Sequence, residues 1–215
     1  MAEIKGLTLL ALETVGRVLF PPVCAGCRRH VSQPGTLCGP CWSGLRFLER
    51  PWCDVLGTPF SHEMGQGIVS ADAIANPPPF DKARAAVVHG GIARRMVHGL
   101  KYADRTELAR SIARLTGLPF EPGALVRSRM TRQQVGLGTR ERQDNVRGAF
   151  KVPEEGDIKV RGRRLLVVDD VYTTGATVSA AARALRKAGA AKIHVLTFAR
   201  VLPGGDFLPQ EARTI

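Results

Sequence analysis

Four of the five cysteines fall into two C-x2-C pairs that are ten residues apart, a spacing typical of a metal site. A C-x2-C turn directs two sulfur atoms at one point, and two such turns supply the four thiolates that zinc binds at about 2.3 Å. A closed shell of four thiolates leaves no position for a substrate, so we predict a zinc ion that stabilises folding rather than one that catalyses a reaction. The predicted ligands are Cys24, Cys27, Cys38 and Cys41.

Disulfides, buried free thiols and a redox pair are the alternatives to zinc at these cysteines. Structural disulfides belong to oxidising compartments, and the sequence shows no export signal. A redox C-x-x-C motif explains one pair but not both. The fifth cysteine, Cys53, has no C-x2-C partner and is expected to be a packed residue rather than a ligand.

A second group of residues, near the C-terminus, has the composition of a phosphate-binding loop. Two acidic residues follow a short apolar run and precede a turn that is rich in threonine and contains one glycine. Amide groups at a helix start favour a phosphate, and the two carboxylates suit sugar hydroxyls or a magnesium ion, so the loop fits a ribose 5-phosphate. The alternative to a ligand site is a purely structural role, with Asp169 and Asp170 in a strand-end turn and Thr177 as the helix N-cap. The residues concerned are Asp169, Asp170, Thr173, Thr174, Gly175, Ala176 and Thr177.

The elements that must position this loop are a strand before it and a helix after it. The apolar run at 165–168 predicts a buried parallel strand, Thr177–Ala188 a helix with Gly189 after its end, and Ile193–Ala199 the next strand. Together they make a βαβ unit, with the loop at a strand's carboxyl end, where open α/β sheets bind ligands. Upstream, we predict a strand at 83–89 and helices at 92–100 and 106–115. No internal repeat is evident.

The remaining segments divide the chain into five parts. We predict an N-terminal helix within 1–22, a four-cysteine zinc ribbon at 23–57, a Gly- and Pro-rich linker at 58–80, an α/β domain at 81–202 and a tail at 203–215. Within the α/β domain, residues 127–147 are basic and contain two glycines. We expect them to form a mobile loop that could act as a lid, with a short helix beginning near Thr139.

The net charge and the hydropathy of the chain limit the kinds of partner that it can bind. The chain has 31 basic and 19 acidic residues and a net charge of +12, which attracts nucleic acids and phosphate-bearing small molecules alike. No run reaches the roughly 20 apolar residues of a membrane-spanning helix. We therefore expect a cytoplasmic protein without a membrane span.

The segment 165–177, Leu-Leu-Val-Val-Asp-Asp-Val-Tyr-Thr-Thr-Gly-Ala-Thr, resembles the phosphoribosyl diphosphate (PRPP) loop of type I phosphoribosyltransferases. With the cysteine ribbon, the arrangement is similar to that of the ComF family. Shorter similarities lie at 100–102, at 127–134 and at 142–150. The resemblance implies a type I phosphoribosyltransferase-like parallel sheet with flanking helices, preceded by a small zinc ribbon.

The resemblance also implies a ligand. Asp169 and Asp170 would hold the ribose hydroxyls with magnesium nearby, and residues 173–177 would hold the 5-phosphate of PRPP or a related compound. The ComF family is linked to competence, the uptake of single-stranded DNA, so DNA or the uptake machinery is a further possible partner.

One departure from the family pattern bears on activity. ComF-like chains usually have a Val-Pro-Val-Pro strand and a Phe-Asn-Gln helix between the regions matched here by Tyr102 and Val126, and this chain has neither. Two hypotheses follow, a phosphoribosyltransferase with an unknown acceptor and no assignable catalytic residue, or a protein that senses nucleotides or handles single-stranded DNA without turnover.

Overall fold

The computed structural model describes residues 21–102, 106–128 and 148–202. The predicted N-terminal helix, most of the basic loop, the helix near Thr139 and the tail lie outside these residues. Within them the chain forms an α/β structure preceded by a cysteine-bearing module, as the sequence predicts. None of the described helices is long and apolar enough to cross a membrane.

A parallel sheet of three strands forms the centre of the described structure. Its strands are β1 (Lys82–Val88), β4 (Arg164–Tyr172) and β5 (Lys192–Arg200), in the order β1-β5-β4. The register aligns Ala83 with Val195 and Val167 with the same residue. Alternate residues of β5 are buried, from Ile193 to Ala199, which explains why this segment reads as an apolar strand.

Helices surround the sheet, and short elements connect them. After β1 come α3 (Gly91–Tyr102) and α4 (Thr106–Thr116), whose bounds extend the predicted helices by one or two residues. An antiparallel pair follows, β2 (Val126–Arg127) with β3 (Phe150–Lys151), and then α5 (Asp157–Val160). The helix α6 (Ala176–Lys187) joins β4 to β5, and its residues Val178, Ala182 and Leu185 pack in the main hydrophobic core.

The cysteine module contains two similar halves, although the sequence shows no repeat. We name residues 23–43 the first ribbon and residues 52–75 the second ribbon. Each begins with a turn after a cysteine and ends in a five-residue helix, α1 (Gly39–Ser43) in the first and α2 (Ala71–Ala75) in the second. The expectation of no repeat is therefore corrected. The similarity is hidden because three of the four cysteine positions carry other residues in the second ribbon.

The second ribbon occupies much of the range that was assigned to a linker. It packs on the sheet through Cys53, Leu56 and Ala73, which share a buried cluster with Ile193 and Val195. Its backbone also hydrogen-bonds to β1, because the Ala83 amide donates to the Val55 carbonyl at 2.7 Å. The segment is therefore packed on the sheet and is not a free connection.

Candidate functional site

The four predicted metal ligands lie together in the first ribbon. Their sulfur atoms are within 4.8 Å of one another, and the sulfurs of Cys27 and Cys38 are 3.6 Å apart. A tetrahedral zinc with bonds of 2.3 Å requires sulfurs about 3.8 Å apart, so the geometry fits that ion. All five cysteines are free thiols. Among the described residues, this is the only cluster of three or more Cys, His, Asp or Glu side chains arranged to hold a metal.

The electrostatics of the cluster favour a cation. A hydrogen bond from the backbone of Cys38 lowers the pKa of Cys24 to about 6, against the effect of burial. Burial and the neighbouring thiols raise the pKa of Cys41 to about 12. Burial and the neighbouring thiols thus disfavour the thiolate of Cys41, and a bound zinc would supply the positive charge that stabilises it.

The four-cysteine cluster is held against α3. The Arg95 Nε donates a hydrogen bond to the Gly26 carbonyl at 3.0 Å. A Cβ atom on Gly26 would lie 2.9 Å from the sulfur of Cys41 and 3.0 Å from the Cγ2 of Ile92, so only glycine fits between the ligand and the helix. The first ribbon is thus part of the packed body of the molecule.

The second candidate site is the turn that joins β4 to α6. The strand continues to Tyr172, four residues beyond the predicted apolar run, so Asp169 and Asp170 lie within β4 rather than in a loop. Their side chains bond locally, since the Asp170 amide donates to the Asp169 Oδ1 at 2.9 Å and the Val171 amide to the Asp170 Oδ1 at 2.7 Å. These bonds fix both carboxylates at the strand's end.

Gly175 sets the shape of the turn. It is the N-cap of α6 with a φ of +74°, in the left-handed region where L-residues other than glycine are disfavoured. A Cβ atom there would lie 2.6 Å from the Cζ of Tyr172, because the tyrosine ring packs under the turn. Because the N-cap is a glycine, no side chain of the N-cap residue caps α6.

Five of the seven predicted ligand-binding residues line one shallow recess at the start of α6. They are Asp169, Thr173, Gly175, Ala176 and Thr177. Asp170 and Thr174 do not line it. Each of these two carries a buried oxygen, Asp170 Oδ2 and Thr174 Oγ1, that has no hydrogen-bond partner among the described residues. A buried carboxylate oxygen without a partner is costly, which makes the strand end a favourable place for a cation or a hydroxyl donor.

Arg200 is a residue of this site that the sequence reasoning missed. It ends β5, is 5% exposed, and stacks over the ring of Tyr172 with its guanidinium carbon 4.0 Å from the ring centroid. Its Nη1 donates to the carbonyl of Leu56 in the second ribbon. Burial lowers the pKa of Arg200 and raises that of Tyr172, and each residue counteracts the shift of the other. A charged residue at the end of a buried parallel strand was the available signal.

Two family models match the chain, one for each candidate site. A double zinc ribbon domain matches residues 15–73, and a phosphoribosyl transferase domain matches residues 107–206. The first covers both ribbons, and the second covers the turn between β4 and α6. No solved structure matches the chain significantly.

Several relatives are similar to this chain in sequence, over different shares of their length. The DNA utilization protein YhgH of Escherichia coli K12 is 24% identical, with 85% of this chain and 98% of that protein covered. Competence protein F of Haemophilus influenzae is 32% identical over 50% of this chain and 45% of that protein. A 41-residue segment is 51% identical to an adenine phosphoribosyltransferase of Mycobacterium avium, covering 19% of this chain and 22% of that enzyme. A double zinc ribbon and a phosphoribosyl transferase domain on one chain, together with these relatives, support the assignment of the protein to the ComF family.

Proposed function

We propose that the turn between β4 and α6 binds PRPP or another ligand that contains ribose 5-phosphate, with magnesium. The observation that carries the proposal is the order of parts at the strand's end, where β4 carries Asp169 and Asp170 and leads through the left-handed Gly175 into the start of α6. The N-terminus of α6, with a glycine as its N-cap, suits the 5-phosphate, and Asp169 and Asp170 suit the ribose hydroxyls and the cation. The match to a phosphoribosyl transferase domain supports this assignment.

Each group would have a separate role in binding. The hydroxyls of Thr173 and Thr177, which line the recess, would add donors to the phosphate beside the backbone amides. The partnerless Oδ2 of Asp170 would gain a cation or a ribose hydroxyl as its partner. Magnesium would screen the diphosphate charge, and any transfer to an acceptor would depend on electrostatic stabilisation of the departing pyrophosphate.

The test is calorimetric titration of the protein with PRPP and with ribose 5-phosphate, each with and without magnesium. Asp170→Asn should weaken PRPP binding about tenfold or more in magnesium, because a charged hydrogen bond or metal contact is worth roughly 1.5–3 kcal/mol. The matched control is Asp157→Asn, which removes an acid from the surface pair with Arg161 and should leave PRPP affinity unchanged. Equal affinity of wild type and Asp170→Asn for PRPP would refute the assignment of the acidic pair.

A second candidate function is binding of single-stranded DNA linked to DNA uptake or use. The net charge of +12 favours it, as do the relatives named DNA utilization protein and Competence protein F. Fluorescence anisotropy of a labelled oligonucleotide at several salt concentrations measures it. Binding to the phosphate backbone should give a linear fall of log affinity with log salt, about −0.7 per phosphate contacted. Affinity that is independent of salt would exclude backbone binding.

A further inference from the structure

We propose that the second ribbon binds no metal, and that a hydrogen-bonded thiol and apolar side chains take the place of its zinc. The matched family model is a double zinc ribbon, which implies two metal sites in residues 15–73. The first ribbon fits a zinc ion. The residues of the second ribbon do not, although its backbone retains the form of a zinc-binding turn.

The turns that open the two ribbons have the same backbone hydrogen bonds at the same offsets from their cysteines. In each, the cysteine amide donates to the carbonyl five residues later, and its carbonyl accepts from the amide four residues later. A β-bridge joins the residues that flank each turn. The bonds are Cys24 to Arg29 and Arg28 to Cys24 in the first ribbon, and Cys53 to Thr58 and Gly57 to Cys53 in the second. The bridges are Val23 to His30 and Trp52 to Pro59.

The left-handed residue also recurs. Arg28 has a φ of +65°, and Gly57, at the same offset, has a φ of +67°. Such a residue lets a cysteine turn reverse direction within a few residues. Agreement in both hydrogen bonding and dihedral angle indicates that the two turns are one structural motif used twice.

The correspondence extends to the second turn of each ribbon. The Cys38 amide donates to the sulfur of Cys24 at 3.3 Å, and the Ser70 amide donates to the sulfur of Cys53 at the same distance. A five-residue helix begins directly after Cys38 and after Ser70. Ser70 therefore stands where the first ribbon has its third zinc ligand.

This alignment identifies the four positions of the second site. The ligands Cys24, Cys27, Cys38 and Cys41 correspond to Cys53, Leu56, Ser70 and Ala73. Leucine and alanine offer no electron pair to a metal, and a serine hydroxyl is not among the ligands of structural zinc sites. One thiol remains, which cannot hold zinc alone. The described residues here include no second cluster of metal-binding side chains.

Hydrogen bonds to Cys53 and packing of apolar side chains hold the second ribbon together in place of a metal ion. The sulfur of Cys53 accepts hydrogen bonds from the Leu56 amide, the Ser70 amide and the Ser70 hydroxyl, each at 3.3 Å. Leu56 and Ala73 are 6% and 5% exposed and pack in the main core with Phe80 and Ala83. The thiol thus joins the two turns by hydrogen bonds, and the apolar side chains stabilise them by burial.

The first experiment counts metal in the full chain. Purified protein that is reloaded with zinc should contain one ion per chain by elemental analysis. Cys53→Ser should keep that ion, because Cys53 is not a ligand, whereas Cys41→Ser should lose most of it. A wild type with two zinc ions per chain, or a folded Cys53→Ser protein with less than one, would overturn the proposal.

The second experiment rebuilds the site. The triple variant L56C/S70C/A73C restores four cysteines on the retained backbone, and it should bind two ions per chain. Cobalt loading should then give about twice the wild-type d–d absorption per chain. A folded triple variant with one ion would show that the second backbone is not a zinc turn, and the proposed replacement would be wrong.

Hydrogen exchange after chelation gives a readout that does not depend on mutation. Removing zinc from the wild type should expose the amide of Cys38 in the first ribbon. The amides of Leu56 and Ser70 should keep their protection, because their acceptor is a protein sulfur. Equal loss of protection in both ribbons would contradict a metal-free second ribbon.

Discussion

Gly175 is the residue on which the geometry of the proposed phosphate site depends. Its left-handed φ allows β4 to turn directly into α6, and its missing side chain leaves room for the ring of Tyr172. A residue with a Cβ would be strained at this φ, and its Cβ would also overlap the Tyr172 ring. A variant at this position therefore tests how the loop is held.

Gly175→Ala should lower the free energy of unfolding by about 2 kcal/mol or more and abolish measurable binding of phosphate ligands. The control is Gly65→Ala. Gly65 has a φ of +86°, but no atom lies within 4 Å of the added Cβ, so only the dihedral cost of roughly 1 kcal/mol applies. Urea unfolding and PRPP titration measure the two effects. If both variants lose the same stability, contact with Tyr172 does not constrain the turn.

At the scale of the elements, Arg200 connects three of them, because it contacts β4 and the second ribbon from the end of β5. Its guanidinium lies on the Tyr172 ring at the end of β4 and donates to the Leu56 carbonyl in the ribbon. The Val201 amide donates to the Tyr172 carbonyl at 2.9 Å and ties the two strand ends together. The turn before α6 is therefore supported from a module that is distant in sequence.

Arg200→Gln should destabilise the protein by about 2–3 kcal/mol, since it removes the stack on Tyr172 and leaves the buried Leu56 carbonyl without its donor. It should also weaken PRPP binding, because the ring under Gly175 loses its support. Arg183→Gln, on the exposed face of α6, is the control and should change neither property. Thermal unfolding and calorimetry decide between the outcomes, and unchanged PRPP affinity in folded Arg200→Gln protein would remove Arg200 from the site.

The sequence predicts elements well where burial follows a simple period. The α6 helix and β5 were expected within one residue of their bounds, because apolar side chains recur every three to four positions in one and every second position in the other. The end of β4 was not predicted correctly, since Asp169 and Asp170 are polar residues inside the strand. Their place in the ladder depends on pairing with β5, Asp169 with Thr197, which no local pattern reveals.

Site residues were predictable where the ligand chemistry is local. The four clustered cysteines and the turn at 173–177 were singled out from short motifs, in which residue type and spacing suffice. That they bind zinc and a phosphate stays a prediction. Arg200 and the second ribbon required contacts between residues more than a hundred positions apart, such as Arg200 with Leu56. Such contacts are set by tertiary packing rather than by spacing in the sequence.

For the molecule as a whole, the described sheet depends on its last strand. β5 lies between β1 and β4, and Lys82 pairs with His194 across more than a hundred residues. A chain that ends after Ala190 should lose cooperative unfolding, because β1 and β4 are left without their shared partner. It should still bind one zinc, since the ligands lie within residues 24–41. A chain that ends after Leu202 is the control and should unfold cooperatively. Cooperative unfolding of the shorter chain would show that β5 is dispensable.

The central position of β5 also fixes an order of events during translation. A ribosome releases the cysteine turns long before residue 192, so the first ribbon can capture zinc while the rest of the chain is still being made. β1 and β4 have no shared partner until β5 leaves the exit tunnel. Even then, pairing of β1 with β5 is slow, because it closes a loop of more than a hundred residues. Nascent chains of this protein should therefore depend on chaperones most strongly in the interval before β5 leaves the exit tunnel.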